Sequence, residues 1–343
     1  MARRYATGRH VIFTLFLLTA GVLLAAVVGE IVIRMAMPQH DAPQYFLRGG
    51  PYQFQLKPNF HQTYRFGDSA VMEVDTNSLG LRDRPRDFST PFAGKTVILA
   101  GDSFVFGHGV NVSERLDTYL ASLVDPQEKR CRIINAGVPG WGAIQATRFV
   151  RDHLDLLRPD AVVLVFCGND PNDDTQFLNN TGMYVGNTKF ARFPGKDFLR
   201  NHSHLYRFLL YRATILRHNL ALRARQRHGE QLVLDSQTAE PISPQDWART
   251  LDVIRQFHRS LLEYNPRAIL FITASNPRQD DIRRQLASLD NAHSLRFIDL
   301  APACSEFKPE QMHLAFDQHW SPLMHKIAAQ AIYKALKEAN FLD

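Results

Sequence analysis

From residue 95 onward, short and almost unbroken apolar runs alternate with longer amphipathic ones. Thr96–Ala100 is a short, near-continuous apolar run, Ala161–Cys167 is the strongest central strand, and Cys131–Ile134, Ala268–Thr273 and Leu295–Leu300 read as three further strands. Such runs predict strands covered on both faces, as in a parallel sheet. Between and after them, Glu114–Leu123, Ala143–Leu157, Pro244–Tyr264 and Pro322–Lys337 carry apolar residues at helical spacing. The last has Ser321 placed to cap it and Pro322 at its first position. Strands alternating with helices predict an α/β fold with right-handed crossovers, whose ligands bind beyond the carboxyl ends of the strands.

The pattern before residue 95 is different. Val11 to Val28 is uncharged and apolar, and apolar character continues past Glu30 to Ile33, long enough to span a bilayer. Arg3, Arg4 and Arg9 precede the run and only Arg34 closely follows, which predicts a cytoplasmic N-terminus and an extracytoplasmic remainder. A cleaved signal peptide is the rival reading; the apolar run is long for one, and no clear cleavage site precedes Glu30. The expected organisation is a cytoplasmic segment over 1–10, a membrane anchor over 11–33, and a stem with short strands over 34–94. A catalytic domain over 95–343 follows. Within it, 171–243 forms an insertion of the size that often serves as a lid or substrate wall. Leu205–Arg227 in that insertion reads as a helix, apolar on one side and rich in arginine, suited either to packing with a solvated basic face or to contact with anionic lipid head groups or an acidic polymer.

Composition narrows the function classes. Forty basic against 34 acidic residues give a net charge of +6, with no Lys/Arg block of the kind that binds nucleic acid, so no nucleic-acid partner is expected. Cys131, Cys167 and Cys304 have no Cys-x-x-Cys or Cys/His spacing; they read as buried thiols, and no metal is expected. Gly107-His108-Gly109 lacks the third glycine of a dinucleotide loop and does not read as one.

Four short segments carry the candidate chemistry. Gly101-Asp102-Ser103, Asn135-Ala136-Gly137 and Gly168-Asn169-Asp170 each end a predicted strand, and Asp317-Gln318-His319 precedes the last helix. A serine hydroxyl is a weak nucleophile until a base takes its proton. Ser103 is the candidate nucleophile and His319 the candidate base. In extended backbone residues i and i+2 point the same way, so Asp317 can orient the His319 ring. His108, His313 and His325 rank below His319 as bases. The tetrahedral intermediate needs donors for its oxyanion, and the backbone N–H groups of Ser103 and Gly137 with the Asn169 amide are the candidates. Each segment also has a structural reading: Ser103 as a helix cap, Gly137 and Asn169 as turn residues. Trp141 and Trp320 flank these segments, where they suit either core packing or stacking on a sugar ring.

Together the four segments resemble the SGNH (GDSL-like) hydrolase superfamily, and the wider strings from Gly101 to Val110 and Asn135 to Gly140 look like those of membrane-anchored bacterial members. The resemblance covers roughly Lys95 to Lys337. It implies a three-layer α/β/α sandwich with a five-stranded parallel, flavodoxin-like sheet, and no cofactor. It also implies a Ser103–His319–Asp317 triad, with Gly137 and Asn169 completing the oxyanion hole. Phe104 stands where the family usually has leucine, and Gly168-Asn169 lacks the residue often found between those two. The function expected is an extracytoplasmic (periplasmic-side) serine esterase, acting on acetyl or short-acyl esters of a small molecule, lipid or glycan. Asp317-Gln318-His319-Trp320 also looks like the block of polysaccharide O-acetyltransferases of this superfamily, which would use a membrane acyl-donor partner. A non-catalytic glycan- or partner-binding envelope protein is the third reading.

Overall fold

A computed structural model describes residues 2–37, 39, 43–66, 70–180, 195–210, 212, 213, 216, 242–314 and 318–342. The chain divides into two compact units, residues 1–42 with 188–236, and residues 43–187 with 237–343.

The first unit is built on α1 (Ala2–Ala36). Its apolar part, Ile12–Ala36, is 25 residues long and has no buried residue, with only Gly29, Glu30 and Ile33 partly covered. At 1.5 Å rise per residue this stretch reaches about 37 Å, more than the roughly 30 Å of a hydrocarbon core. It is long and apolar enough to cross a membrane, where its exposed side chains would meet lipid.

The second unit contains the predicted sheet. Strands β1 (Phe46–Arg48), β2 (Phe54–Leu56), β3 (His61–Phe66) and β4 (Ala70–Asp75) form two antiparallel pairs. Strands β5 (Lys95–Gly101), β6 (Cys131–Gly137), β7 (Ala161–Phe166), β8 (Ile269–Ala274) and β9 (Leu295–Ile298) form a parallel sheet in the order β6-β5-β7-β8-β9. Apolar residues on both faces dictate the layers. Ile98, Ala100, Val162, Leu164 and Ile272 pack on one side with α4 (Ala143–Asp152) and the helix Pro244–Tyr264. Val97, Leu99, Val163, Val165 and Phe271 pack on the other with α3 (Leu116–Val124) and the helix Pro322–Glu338. This is the expected three-layer α/β/α arrangement. The order places β6 and β7 on opposite sides of β5, so chain direction across the sheet reverses there. A crevice opens at the carboxyl end of a strand at such a switch point.

The expected stem is not separate. Tyr45, Tyr52, Phe54, Leu56, Met72, Val74, Leu81 and Phe88 belong to the same buried cluster as Phe106, Trp141 and Phe149, and residues 43–94 share one compact unit with the sheet. Arg82 anchors this packing. It is fully buried, and its guanidinium donates to the carbonyls of Glu73, Phe106, Gly107 and Val110 at 2.5–3.1 Å. Burial lowers its pKa to about 9.

Other boundaries moved for local reasons. The helix expected over Ala143–Leu157 breaks at His153 (φ −121°, ψ 20°), giving α4 and a separate turn, α5 (Leu154–Leu157). The helix expected from Glu114 starts at Leu116, after a 3₁₀ turn over Val112–Glu114 and extended Arg115. In the insertion, α6 (Asp170–Leu178), α7 (Lys196–His202) and helical residues 204–210 are described; much of the helix expected over Leu205–Arg227 lies outside the described residues.

Candidate active site

The nucleophile segment is a strand-to-helix turn. Strand β5 ends at Gly101, Asp102 caps the one-turn helix α2 (Ser103–Phe106) by accepting from Phe104 N at 3.0 Å, and Gly107 ends it in the left-handed region at φ 76°. Because Asp102 caps, the Ser103 hydroxyl is not spent on its own helix. Ser103 Oγ lies 2.8 Å from His319 Nε2, across 216 residues of chain. The His319 ring is flanked by the rings of Phe104 and His108, with centroids 5.3 and 4.6 Å away. Asp317, the carboxylate expected to orient it, lies outside the described residues.

Ser103 and His319 open onto a cavity of about 530 Å³. Asn169, Asp173, Gln176 and Phe177 from α6 and its approach form one wall, Pro139 and Gly140 from the turn after β6 another, and Gln53 and Phe54 a third. The segment expected to be a stem therefore supplies part of the cavity.

The structure separates the three expected oxyanion donors. Ser103 is the first residue of its helix, where the backbone N–H has no intrahelical acceptor. Asn169 lines the cavity, and its Nδ2 donates to Asp173 Oδ2 at 2.6 Å. Gly137 does not face the cavity. It is buried, and its N–H donates to Asn135 Oδ1 at 3.0 Å. A Cβ there would lie 2.2 Å from the Phe106 backbone nitrogen, so the missing side chain serves contact with α2. Asn135 completes that contact by donating to the Val105 carbonyl at 2.7 Å and to Asp117 Oδ1 at 2.9 Å. The glycine of this segment that reaches the cavity is Gly140, at φ 82°. The Pro139-Gly140 turn signal marks it in sequence.

Trp141 and Trp320 do not offer ring faces to a ligand. Each is 1% exposed, with its indole N–H committed to a carbonyl, Trp141 to Phe54 at 2.9 Å and Trp320 to Ser275 at 2.8 Å. Both belong to the core.

Four carboxylates cluster near the cavity: Asp102 and Asp173 line it, and Asp170 and Asp174 are buried. Burial, opposed by the Phe104 N–H and the nearby His319, pushes Asp102 up. Burial and the charges of Asp102 and Asp174 push Asp170 well up. Asp173 is raised to about 7 by burial and then by Asp102 and Asp174, and Asp174 to about 6 by burial. A carboxyl raised in the folded state contributes stability that is complete below its unfolded pKa, near 4, and lost as pH rises through the folded value. Asp173 therefore disfavours the fold increasingly between pH 4 and 8. Between these limits, the stability of Asp173→Asn relative to the parent should rise by on the order of 2 kcal/mol after allowance for partial exposure, read as a growing difference in melting temperature. A pH-independent difference in calorimetry would contradict this.

A family model described as GDSL-like Lipase/Acylhydrolase family matches residues 99–327. No curated protein matches the chain. Solved structures similar to it include a Clostridium thermocellum family 3 carbohydrate esterase, at 15% identity over 73% of this chain and 98% of that one, with a TM-score of 0.42. TesA is similar at 11% identity over 71% and 99%, with a TM-score of 0.44. The psychrotrophic esterase EstA of a Pseudoalteromonas species, inhibited by monoethylphosphonate, is similar at 12% identity over 71% and 97%, with a TM-score of 0.39. The family match spans more than half of the chain and both Ser103 and His319, and the protein belongs to the GDSL-like lipase/acylhydrolase family.

Proposed function

We propose that the protein is a serine esterase that removes acetyl or short acyl groups through an acyl-serine intermediate. The observation that carries this reading is the 2.8 Å contact between Ser103 Oγ and His319 Nε2, both of which line the cavity. His319 takes the Ser103 proton as Oγ bonds to the ester carbonyl carbon, and the carbonyl π pair moves onto oxygen. Collapse of that intermediate breaks the bond to the alcohol, whose oxygen takes the proton from His319. Water then repeats the steps on the acyl-serine and releases the acid. Asp317 is the carboxylate we assign to hold the His319 ring.

For the oxyanion we assign the backbone N–H groups of Ser103 and Gly140, in place of Gly137, and the second N–H of Asn169 Nδ2. Asp173 takes the first, which fixes the amide plane. Asn169→Ala should lower kcat for an acetyl ester by about 10²–10³ with a much smaller change in KM. A change confined to KM would remove Asn169 from this role.

The cavity favours a compact acyl group on a hydroxyl-rich alcohol, such as an acetylated glycan. Its lining offers amide, carboxyl, hydroxyl and imidazole groups beside the apolar surfaces of Phe54, Pro139 and Phe177. We place the site on the extracytoplasmic side of a membrane spanned by α1, from the arginines that precede the span. Turnover of p-nitrophenyl acetate and of acetylated oligosaccharides by the reconstituted full chain tests the reading.

A further inference from the structure

Glu30 is the sole carboxylate in α1, and it is fully engaged by the insertion. Its oxygens accept from Ser203 Oγ at 2.8 Å, His204 N at 3.0 Å and Leu205 N at 2.9 Å, besides Arg34 of its own helix at 2.8 Å. Those backbone donors open the helical segment 204–210, where N–H groups lack intrahelical acceptors and an anion is favoured. Glu30 thus caps a second helix from outside it.

Three further contacts fix the same junction. Arg34 donates to the His202 carbonyl at 2.8 Å, and Gln39 N donates to His204 Nδ1 at 2.8 Å. The Leu205 side chain lies over Gly29, where a Cβ would meet it at 3.2 Å. The insertion is therefore tied to the last turns of the apolar helix. A carboxylate there has a costly position in or near hydrocarbon unless it is paired, which these contacts supply.

Beyond the junction the insertion exposes large apolar side chains: Phe198 at 65%, Leu209 at 56%, Leu210 at 46% and Leu216 at 59%. Lys196, Arg200, Arg207 and Arg212 are interspersed among them, with the Arg212 guanidinium 5.2 Å from the Phe208 ring centroid. Val27, Val28, Ile31 and Val32 in the last turns of α1 are exposed as well. Apolar and basic residues mixed on short helices suit the boundary between acyl chains and phosphates.

We propose that residues 195–210, with Arg212 and Leu216, lie on the phospholipid bilayer surface where α1 emerges, held there by the Glu30 cap. Phe198, Leu209, Leu210 and Leu216 enter the acyl boundary, and Arg207 and Arg212 sit at phosphate level. The occupant is lipid because the cap fastens this surface to the end of a helix whose own exposed face requires lipid. The proposal rests on α1 spanning the membrane and is independent of the esterase chemistry.

The test is photo-crosslinking of the full chain in phospholipid vesicles, with p-benzoylphenylalanine placed singly at Leu209, at Leu18 in α1, or at Ser122 in α3. Mass spectrometry identifies what each position captures. Lipid adducts are expected at positions 18 and 209 and not at 122. Glu30→Ala should lower the adduct at 209 by about tenfold, the equivalent of roughly 1.4 kcal/mol, and leave that at 18 unchanged. Lipid at 18 with a second copy of the chain, or no lipid, at 209 would overturn the proposal. Absence of lipid at 18 would overturn the spanning reading and the proposal with it.

Discussion

Ser103→Ala is expected to lower kcat for p-nitrophenyl acetate by roughly three to six orders of magnitude while leaving the fold intact. Both halves of this expectation come from the same geometry. The Ser103 hydroxyl is not a helix cap, since Asp102 performs that task, and its hydrogen bond is to His319. Removing it therefore costs no secondary structure, and the melting temperature should stay within about 2 °C of the parent, as for a change of under 1 kcal/mol. His319→Ala should show a loss of similar size, and the double variant should be scarcely worse than either single one, because the two groups act as a unit. A Ser103→Ala enzyme that retains a tenth of the parent rate would remove the nucleophile from the account.

The largest expected effect on stability is at Arg82, far from any reacting atom. Arg82→Met should destabilise the protein by about 3–5 kcal/mol, or roughly 10 °C in melting temperature. Methionine fills much of the same volume, so the cost is mainly polar. Four carbonyls, those of Glu73, Phe106, Gly107 and Val110, would lose buried donors together. Two of them belong to the end of the nucleophile helix and its cap, so the loss should reach the site as well. The Tm of the variant by calorimetry and its rate with p-nitrophenyl acetate should both fall. A variant as stable as the parent would mean that residues 70–94 are held in place by apolar packing alone.

Arg82 also shows where the sequence stops being readable. The central strands of the parallel sheet are legible because they are buried on both faces, which leaves a compact apolar run and little else. Ser103 and His319 are legible because the ends of such strands, and the approach to the last helix, are where catalytic residues of this fold class sit. What is not legible is the partner of a side chain far along the chain. Residues 43–94 have proline and turn signals suggesting a stem, yet Tyr52, Phe54 and Arg82 find their partners 24 to 93 residues further on. The Asn135-Ala136-Gly137 segment misleads in a related way. A glycine required for close approach to a substrate and one required for close approach to a helix look alike in sequence. Only the 2.2 Å separation between a Cβ at Gly137 and the Phe106 nitrogen tells them apart. Trp141 and Trp320 are likewise beside the site in sequence and behind it in space, because their indole N–H groups bond carbonyls within the core.

Covalent trapping tests most directly whether Ser103 carries the acyl group. The full chain is treated with a fluorophosphonate, digested, and the modified peptide identified by mass spectrometry. The account predicts a single adduct on Ser103, strongly reduced in His319→Ala and accompanied by stoichiometric loss of esterase activity. An adduct on another residue, or complete loss of activity with Ser103 unmodified, would contradict it.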